Sequence, residues 1–173
     1  MWTIRPLTDD NWAAWWALRL RALAEHPDAF GQDHDEIVAE GEQPSHQRFS
    51  SGSTGLNRVF GAFDAASTLV GVAGITGRER RKQRHRMEIW GVYVAPESRG
   101  MGVGRRLLDA CIGHARNVDG VRQVHIAAAS HNGAAVALYE SCGFTRYGRE
   151  PRALILPDGR EVDEDLMVLM LDR

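Results

Sequence analysis

The spacing of apolar residues along the chain predicts both helices and strands. A helical spacing of three to four residues predicts helices at 8–25, at 134–142 and from Leu107 to Ala115, and two shorter helices are expected at 33–40 and 44–49. Apolar, β-branched or alternating segments predict strands at 2–7, 59–63, 69–76, 87–94, 121–129, 147–156 and 165–171. The order is strand, helices, three strands, helix, strand, helix and two strands. We therefore expect a mixed α/β fold, with a surface loop at 50–55.

A strand, a glycine-rich turn and a helix follow one another from Ile89 to Ala115. The turn, Arg99 to Gly104, has glycine at every second position. Glycines allow several backbone N–H groups to approach one oxyanion, and the N-terminus of a helix adds a partial positive charge. Arg105 and Arg106 add full positive charges beside this turn. The segment therefore predicts a binding site for a ligand that carries phosphates, with a pyrophosphate favoured.

Two common phosphate-binding motifs do not fit this turn. A nucleotide-hydrolysing P-loop requires Lys followed by Ser or Thr after its second glycine, and Arg105-Arg106 stands there instead. The dinucleotide fingerprint requires a third glycine, and counting from Gly102 the sixth residue is Leu107. The phosphate ligand is therefore expected to belong to another class.

Two segments resemble motifs of the GNAT superfamily of N-acetyltransferases. Residues 99–104, which follow a strand ending Val-Tyr-Val-Ala-Pro, are similar to the family's Arg/Gln-x-x-Gly-x-Gly/Ala turn. Residues 132–144 are similar to its Asn-x-x-Ala-x-x-Leu-Tyr-x-x-x-Gly-Phe segment. Two motifs in the correct order are more specific than either alone, and because the order of elements also resembles the complete fold of the family, the resemblance covers essentially the whole chain. It implies a central mixed sheet of six to seven strands, flanked by helices, with two parallel strands that splay apart at the acetyl-CoA site.

The resemblance implies acetyl-CoA as cosubstrate and assigns its binding residues. Val92, Tyr93 and Val94 would lie along the pantetheine arm, and Asn132 would bond to the arm or to backbone near it. The residues expected around the pyrophosphate are Arg99, Gly100, Met101, Gly102, Val103, Gly104 and Arg105.

The resemblance also implies roles for two side chains in acetyl transfer. Tyr139 matches the family tyrosine that donates a proton to the departing thiolate, and a phenol remains protonated at pH 7. Glu88 is the candidate base for the amine, because period two places it on the same side of its strand as Val92. An ion pair of Glu88 with an arginine of the basic segment 78–86 is the alternative. His125 and His131 are lesser candidates, and an acylated Cys142 is disfavoured.

Composition limits the remaining classes of function. The 173 residues fit a single domain, 1–173, and the formal net charge of −2 argues against a general nucleic-acid binder. No apolar run is long enough to span a membrane, and two cysteines cannot form a disulfide framework, so we expect a cytoplasmic protein with reduced thiols. No histidine–carboxylate spacing matches a metal site. The sequence leaves a homodimer open.

The acceptor is the least defined part of the prediction. The expected function is acetyl transfer to a primary amine of a small molecule or a peptide, by direct transfer in a ternary complex. Acidic residues after Asp28 and in the last hairpin suggest a cationic small amine. The alternatives are a non-catalytic acyl-CoA-binding module and a docking domain that uses segment 78–86.

Overall fold

The structure is a computed structural model that describes residues 2–51 and 55–171. Its strands are β1 (Thr3–Pro6), β2 (Arg58–Phe63), β3 (Leu69–Gly77), β4 (Arg86–Val94), β5 (Gln123–Ala129), β6 (Thr145–Ile155) and β7 (Glu161–Met170). Its α-helices are α1 (Trp12–Glu25), α2 (His34–Glu40), α3 (Glu42–Ser51), α4 (Val103–Arg116) and α5 (Gly133–Ser141). Residues 52–54 of the predicted loop 50–55 lie outside the described residues, and Ser50 and Ser51 belong to α3 instead.

The seven strands form one mixed sheet in the order β1-β2-β3-β4-β5-β7-β6. This confirms the mixed α/β class and the six- to seven-stranded sheet expected from the sequence. Every neighbouring pair is antiparallel except β4 and β5, which run parallel because α4 connects them as a crossover helix. Their pairing extends only over Arg86–Glu88 and Gln123–His125. Beyond that point β4 and β5 separate.

Helices cover the two faces of the sheet with two apolar clusters. On one face, α4 and α5 pack over residues such as Ile75, Met87 and Met167. On the other face, α1 packs through Trp16 and Leu23 against β2, β3 and the end of β4. No helix in the described part of the chain combines the length and apolar character needed to cross a membrane.

Local sequence features explain where the helices begin and end. Helix α1 ends at Glu25, two residues before Pro27, as the sequence predicted. Asp33 caps α2, because its Oδ1 accepts hydrogen bonds from two backbone N–H groups of the first turn. Helix α4 begins at Val103, which places Gly104 inside the first helical turn rather than in the preceding loop. Both cysteines are free thiols.

A β-bulge in β4 overturns one prediction about side-chain direction. Val72 pairs with Tyr93 and Gly74 pairs with Trp90, so two residues of β4 lie opposite Ala73 alone. The extra residue is accommodated at Gly91, whose φ of +63° suits glycine. Glu88 therefore shares a face with Trp90 and Tyr93, while Val92 and Val94 point to the α4 face. The prediction that Glu88 and Val92 face the same side is wrong, because period two holds only in a regular strand.

Candidate active site

A cleft opens where β4 and β5 separate. Its volume is about 530 Å³, and its two long walls are the backbones of 89–94 in β4 and 126–129 in β5. The start of α4 and one side of α5 close one side of the cleft, and the segment after α1 contributes His26, Ala29 and Phe30. Since the two strands are not paired here, their facing edges border the cleft, and backbone N–H and C=O groups can pair with an extended ligand.

The glycine-rich turn forms one end of this cleft. Gly100 and Gly102 have φ of +74° and +77°, and Gly102 is the N-cap of α4. Val103 lines the cleft but its side chain is buried, whereas Met101 is 58% exposed and does not line the cleft. Together with the helix N-terminus, the turn presents N–H donors and a partial positive charge to one end of the cleft.

The two arginines at this turn have structural partners. Arg99 Nε donates to the carbonyl of Val94 at 2.8 Å, and its Nη2 donates to Nε2 of His26 at 2.9 Å. Arg105 Nη1 donates to the carbonyl of Ser141 at 3.0 Å, which ties α4 to the end of α5. Both residues line the cleft, so they fix its shape while their charge remains next to the ligand site.

Gly104 has a packing role that the sequence did not indicate. A Cβ placed on Gly104 would lie 3.1 Å from Cδ2 of Leu138, so α4 and α5 approach closely at this point. Gly104 and Leu138 both line the cleft. A side chain at residue 104 would therefore force Leu138 or the helix backbones to shift and would change the shape of the cleft.

Val92, Tyr93 and Val94 all line the cleft, but the Tyr93 side chain lies on the α1 face. Its hydroxyl donates to Oε2 of Glu25 at 2.6 Å. Burial, together with this hydrogen bond, raises the pKa of Tyr93 to about 12. The bond links the C-terminal end of α1 to β4 at the cleft.

Tyr139 and Asn132 lie on the opposite wall, where α5 carries both. The Asn132 Oδ1 accepts the backbone N–H of Ala135 at 3.1 Å and so caps α5, which leaves its Nδ2 directed to other acceptors. Tyr139 is 6% exposed and lines the cleft. Burial raises the pKa of its phenol well above the usual value, so it stays protonated at neutral pH. Among the described residues, no hydrogen bond involves the Tyr139 hydroxyl.

Glu88 lines a second, smaller cavity of about 80 Å³, which shares Ile126 and Ala127 with the main cleft. Its Oε2 accepts a hydrogen bond from Nη2 of Arg78, so the ion pair with the basic segment is present. His125 lines the same cavity, and burial next to Arg86 lowers its pKa. Glu88 thus approaches the main cleft from the end where β4 and β5 are still paired.

His131, the other lesser candidate, lies away from both cavity walls. Its Nε2 bonds to Oδ2 of Asp28 at 2.6 Å and connects the loop before α5 to the segment after α1. Cys142 is half-buried, and burial raises the pKa of its thiol, which disfavours a reactive thiolate. In the described ranges, no group of three or more histidine, cysteine or carboxylate side chains could hold a metal.

The sequence did not assign Trp90 or Arg19 to the site, whereas Phe30 belongs to a segment, 27–30, that it predicted as a wall for the substrate. Trp90 lines it and donates from Nε1 to Oγ1 of Thr76 at 2.8 Å. Gly74 makes room for this indole, because a Cβ there would lie 2.3 Å from Cε2 of Trp90. Phe30 lines the cleft, and Arg19 lies 4.8 Å from the centre of its ring. Arg19 was detectable in principle, since it is a charge on the apolar face of α1.

Comparison with known proteins identifies the relatives of this chain. The family model described as acetyltransferase (GNAT) family matches residues 13–144. The mycothiol acetyltransferase of Salinispora arenicola is 33% identical over 143 residues, which are 83% of this chain and 43% of that protein. The chain therefore spans less than half the length of this curated relative.

Solved structures agree with the family model. The ribosomal-protein-alanine N-acetyltransferase of Brucella melitensis is 27% identical with a TM-score of 0.79, over 98% of this chain and 99% of that one. The putative acetyltransferase yncA of Salmonella typhimurium, solved with its cofactor acetyl-CoA, is 26% identical with a TM-score of 0.81, over 100% and 95%. With its splayed parallel strands, its glycine-rich turn at the start of α4 and a family model that matches most of its length, the chain belongs to the GNAT family of acetyltransferases.

Proposed function

We propose that the protein is an N-acetyltransferase that moves the acetyl group of acetyl-CoA to a primary amine of a small molecule or a peptide. The observation that carries this proposal is one continuous cleft that joins the glycine-rich turn, the open edges of β4 and β5, and Tyr139. A single extended ligand can meet all three. Family membership and the likeness to yncA, which was solved with acetyl-CoA, support the choice of donor.

The turn and β4 supply the proposed binding groups for acetyl-CoA. The backbone N–H groups between Arg99 and Arg105 would hold the pyrophosphate, because they converge at the N-terminus of α4. The backbone of Val92, Tyr93 and Val94 would pair with the amides of the pantetheine arm. On the other wall, Nδ2 of Asn132 would donate to the same arm. Cleft volume and donor placement fit this extended, anionic ligand.

Tyr139 is the proposed general acid. When the amine nitrogen attacks the thioester carbon, the new C–N bond forms and the C–S bond breaks, so the sulfur departs with the electron pair. A protonated phenol beside it can donate its proton, and solvent then restores the phenol. Tyr139 suits this role because it is protonated at neutral pH and is carried on α5 along the wall of the cleft.

Glu88 is the proposed base that removes the proton from the attacking ammonium. It lies in the smaller cavity that continues the main cleft past Ile126 and Ala127, on the face that also carries Trp90. The bond from Arg78 occupies Oε2 and leaves Oε1 for the amine or for a bridging water. An acceptor that enters through this cavity would reach the thioester from the side opposite the turn.

An assay of free thiol release tests the proposed function. The protein is incubated with acetyl-CoA and a broad panel of amines that includes amino acids, polyamines, aminoglycosides and N-terminal peptides. We expect amine-dependent thiol release together with a mass gain of one acetyl group on the acceptor. Calorimetric binding of acetyl-CoA without turnover of any amine would identify a non-catalytic acyl-CoA-binding module instead.

A further inference from the structure

Arg19 is a buried cation without an anionic partner. It is 7% exposed, in the middle of α1, and in the described part of the chain it takes part in no ion pair. Its Nη2 donates to Oε1 of Gln32 at 2.8 Å, and its Nε has no hydrogen-bond partner. Burial lowers the pKa of Arg19 to about 10, so the guanidinium still carries its charge at pH 7. A buried charge is expected to be paired, because its loss of hydration is costly.

The guanidinium lies directly behind the wall of the cleft. Its Nη1 is 3.6 Å from the position that a Cβ on Gly91 would occupy, and its Cζ is 4.8 Å from the centre of the Phe30 ring. Gly91 and Phe30 both line the cleft. Gln32, which holds the Nη2 edge, is solvent-exposed. An anion that displaces the Gln32 amide would therefore reach the guanidinium from solvent, beside the Phe30 ring.

Packing alone does not account for a charge at position 19. Its neighbours on the helix face, Trp15 and Leu23, are buried apolar residues, and leucine or methionine at 19 would satisfy the same face. One neutral hydrogen bond and one aromatic ring compensate only part of the desolvation cost. The amide oxygen of Gln32 occupies the position that a carboxylate oxygen would take in a bidentate pair.

The main cleft offers no carboxylate to a cationic acceptor. No carboxylate of the described residues lines it, and its two arginines, Arg99 and Arg105, stand at the turn proposed for the pyrophosphate. The acidic residues at 33–42 lie in and around α2 and the start of α3, away from the cleft lining. The sequence-based suggestion of a cationic amine thus has no support from the main cleft, although Glu88 lines the smaller cavity.

We propose that the acceptor is a free amino acid whose carboxylate pairs with Arg19, an inference that rests on the proposed acetyl transfer. Arg19 lies over Gly91, at the bulge of the strand that would hold the thioester. The amine and the carboxylate of the acceptor must therefore be separated by only a few bonds, as in an α-amino acid. The N-terminus of a peptide and a lysine within a protein have no free carboxylate beside their amine.

Pairs of acceptors that differ only in their carboxylate test whether that group is recognised. Thiol release is measured with a series of free L-amino acids and with the corresponding amino acid amides, which differ only in that charge. We expect wild-type kcat/KM to favour the acid by about 100-fold, because a buried cation rejects a neutral analogue. Arg19→Met should remove this preference by lowering kcat/KM for the acid about 100-fold, while kcat/KM for the amide and acetyl-CoA affinity change less than about threefold. Arg116→Met, an exposed position in the last turn of α4, should leave the preference intact.

A stability measurement separates recognition from a structural role. Because Arg19→Met removes an unpaired buried charge, its melting temperature should equal or exceed that of the wild type. A lower melting temperature with equal losses for acid and amide would make Arg19 a structural residue and overturn the inference. Equal wild-type activity on acids and amides, or a preference for peptides, would overturn it as well.

The inference and the proposed function can fail separately. If no amine is acetylated, the proposed function fails, and calorimetric titration of N-acetyl amino acids and their amides in the presence of CoA still tests Arg19. Binding of the acid that is lost in Arg19→Met would support the carboxylate site. Equal binding by the two proteins would reject it.

Discussion

The hydroxyl of Tyr139 should matter for the reaction and hardly at all for the fold. Tyr139→Phe keeps the ring, which packs near Phe144 with 6.3 Å between ring centroids. The hydroxyl has no hydrogen-bond partner among the described residues, so its removal breaks no bond. The hydroxyl borders the cleft and is not fully buried. The free energy of unfolding should therefore change by no more than about 0.5 kcal/mol, which for a chain of this length is a change of about 2 °C or less in melting temperature.

The rate of acetyl transfer, unlike the stability, should fall strongly in Tyr139→Phe. If Tyr139 protonates the departing thiolate, its loss should lower kcat by about 100-fold, which corresponds to about 2.7 kcal/mol of barrier. The loss should shrink with acyl donors whose thiol is more acidic, because such a thiolate needs less help to leave. The affinity for acetyl-CoA, measured by calorimetry, should stay within about threefold.

The assay compares single-turnover thiol release by the wild type and by Tyr139→Phe over a series of donors and pH values. Tyr147→Phe removes the same atom from the smaller cavity, where the Tyr147 hydroxyl lies 3.4 Å from Nδ1 of His125, and it shows whether loss of any tyrosine hydroxyl near the acceptor path slows turnover. Wild-type turnover by the Tyr139→Phe variant, across donors and pH, would show that the phenol only packs. A fall in both stability and turnover would mean that the variant is damaged in its fold rather than in its chemistry.

Three further predictions concern other parts of the site. Gly104→Val should lower both the melting temperature and the acetyl-CoA affinity, because the new side chain crowds Leu138. Gly113→Val, on the same helix, should have smaller effects, since a Cβ there meets nothing within 4 Å. Equal effects of the two substitutions would contradict the close contact at Gly104. The pKa of Tyr93 is raised from its ordinary value of 10.0 to about 12, so its contribution to stability is complete below pH 10 and is lost as the pH rises toward 12. In urea denaturation, the free energy of unfolding of Tyr93→Phe should therefore fall less steeply between pH 10 and 12 than that of the wild type. Identical pH dependence of the two proteins would refute the bond to Glu25. Glu88→Gln should slow acetylation most at low pH, where more of the amine is protonated. Glu79→Gln, an exposed position in the same basic segment, should leave the rate unchanged. An unchanged pH–rate profile in Glu88→Gln would mean that Glu88 serves only in its ion pair with Arg78.

The sequence predicted those elements whose first or last residues are determined by local backbone preferences. Pro27 ends α1, and Gly143, with φ of +93°, follows α5, so both boundaries depend on residues that restrict or permit particular backbone angles. The glycine-rich turn was predictable for the same reason, because its function depends on the absence of side chains in one short segment. The long-range part of the fold, including the splay of β4 and β5, came from the resemblance to the family and not from periodicity.

The direction of side chains in β4 could not be derived from a regular pattern. Alternation assigns Glu88, Trp90 and Val92 to one face, and it fails because Gly91 inserts an extra residue. A glycine inside a strand is the sequence signal of such a bulge, but it does not show whether the strand bends or continues. Which residues share a face therefore depends on the pairing with β3, which a single strand does not encode.

Arg19 is a second residue that a regular pattern does not predict, and it lies next to Gly91, where the β4 pattern fails. It lies four residues after Trp15 and four before Leu23, so the helical pattern itself assigns it to the buried face. Patterning alone favours an apolar residue there, just as it favours an unbroken strand at Gly91. The two departures lie within 3.6 Å of each other at the wall of the cleft, measured from Nη1 to the Cβ position of Gly91. Sequences that otherwise agree with their fold tend to break local rules at functional sites. Two independent breaks at one point of the cleft wall are therefore a reason to look for the acceptor there, before the more acidic but more distant surface of α2.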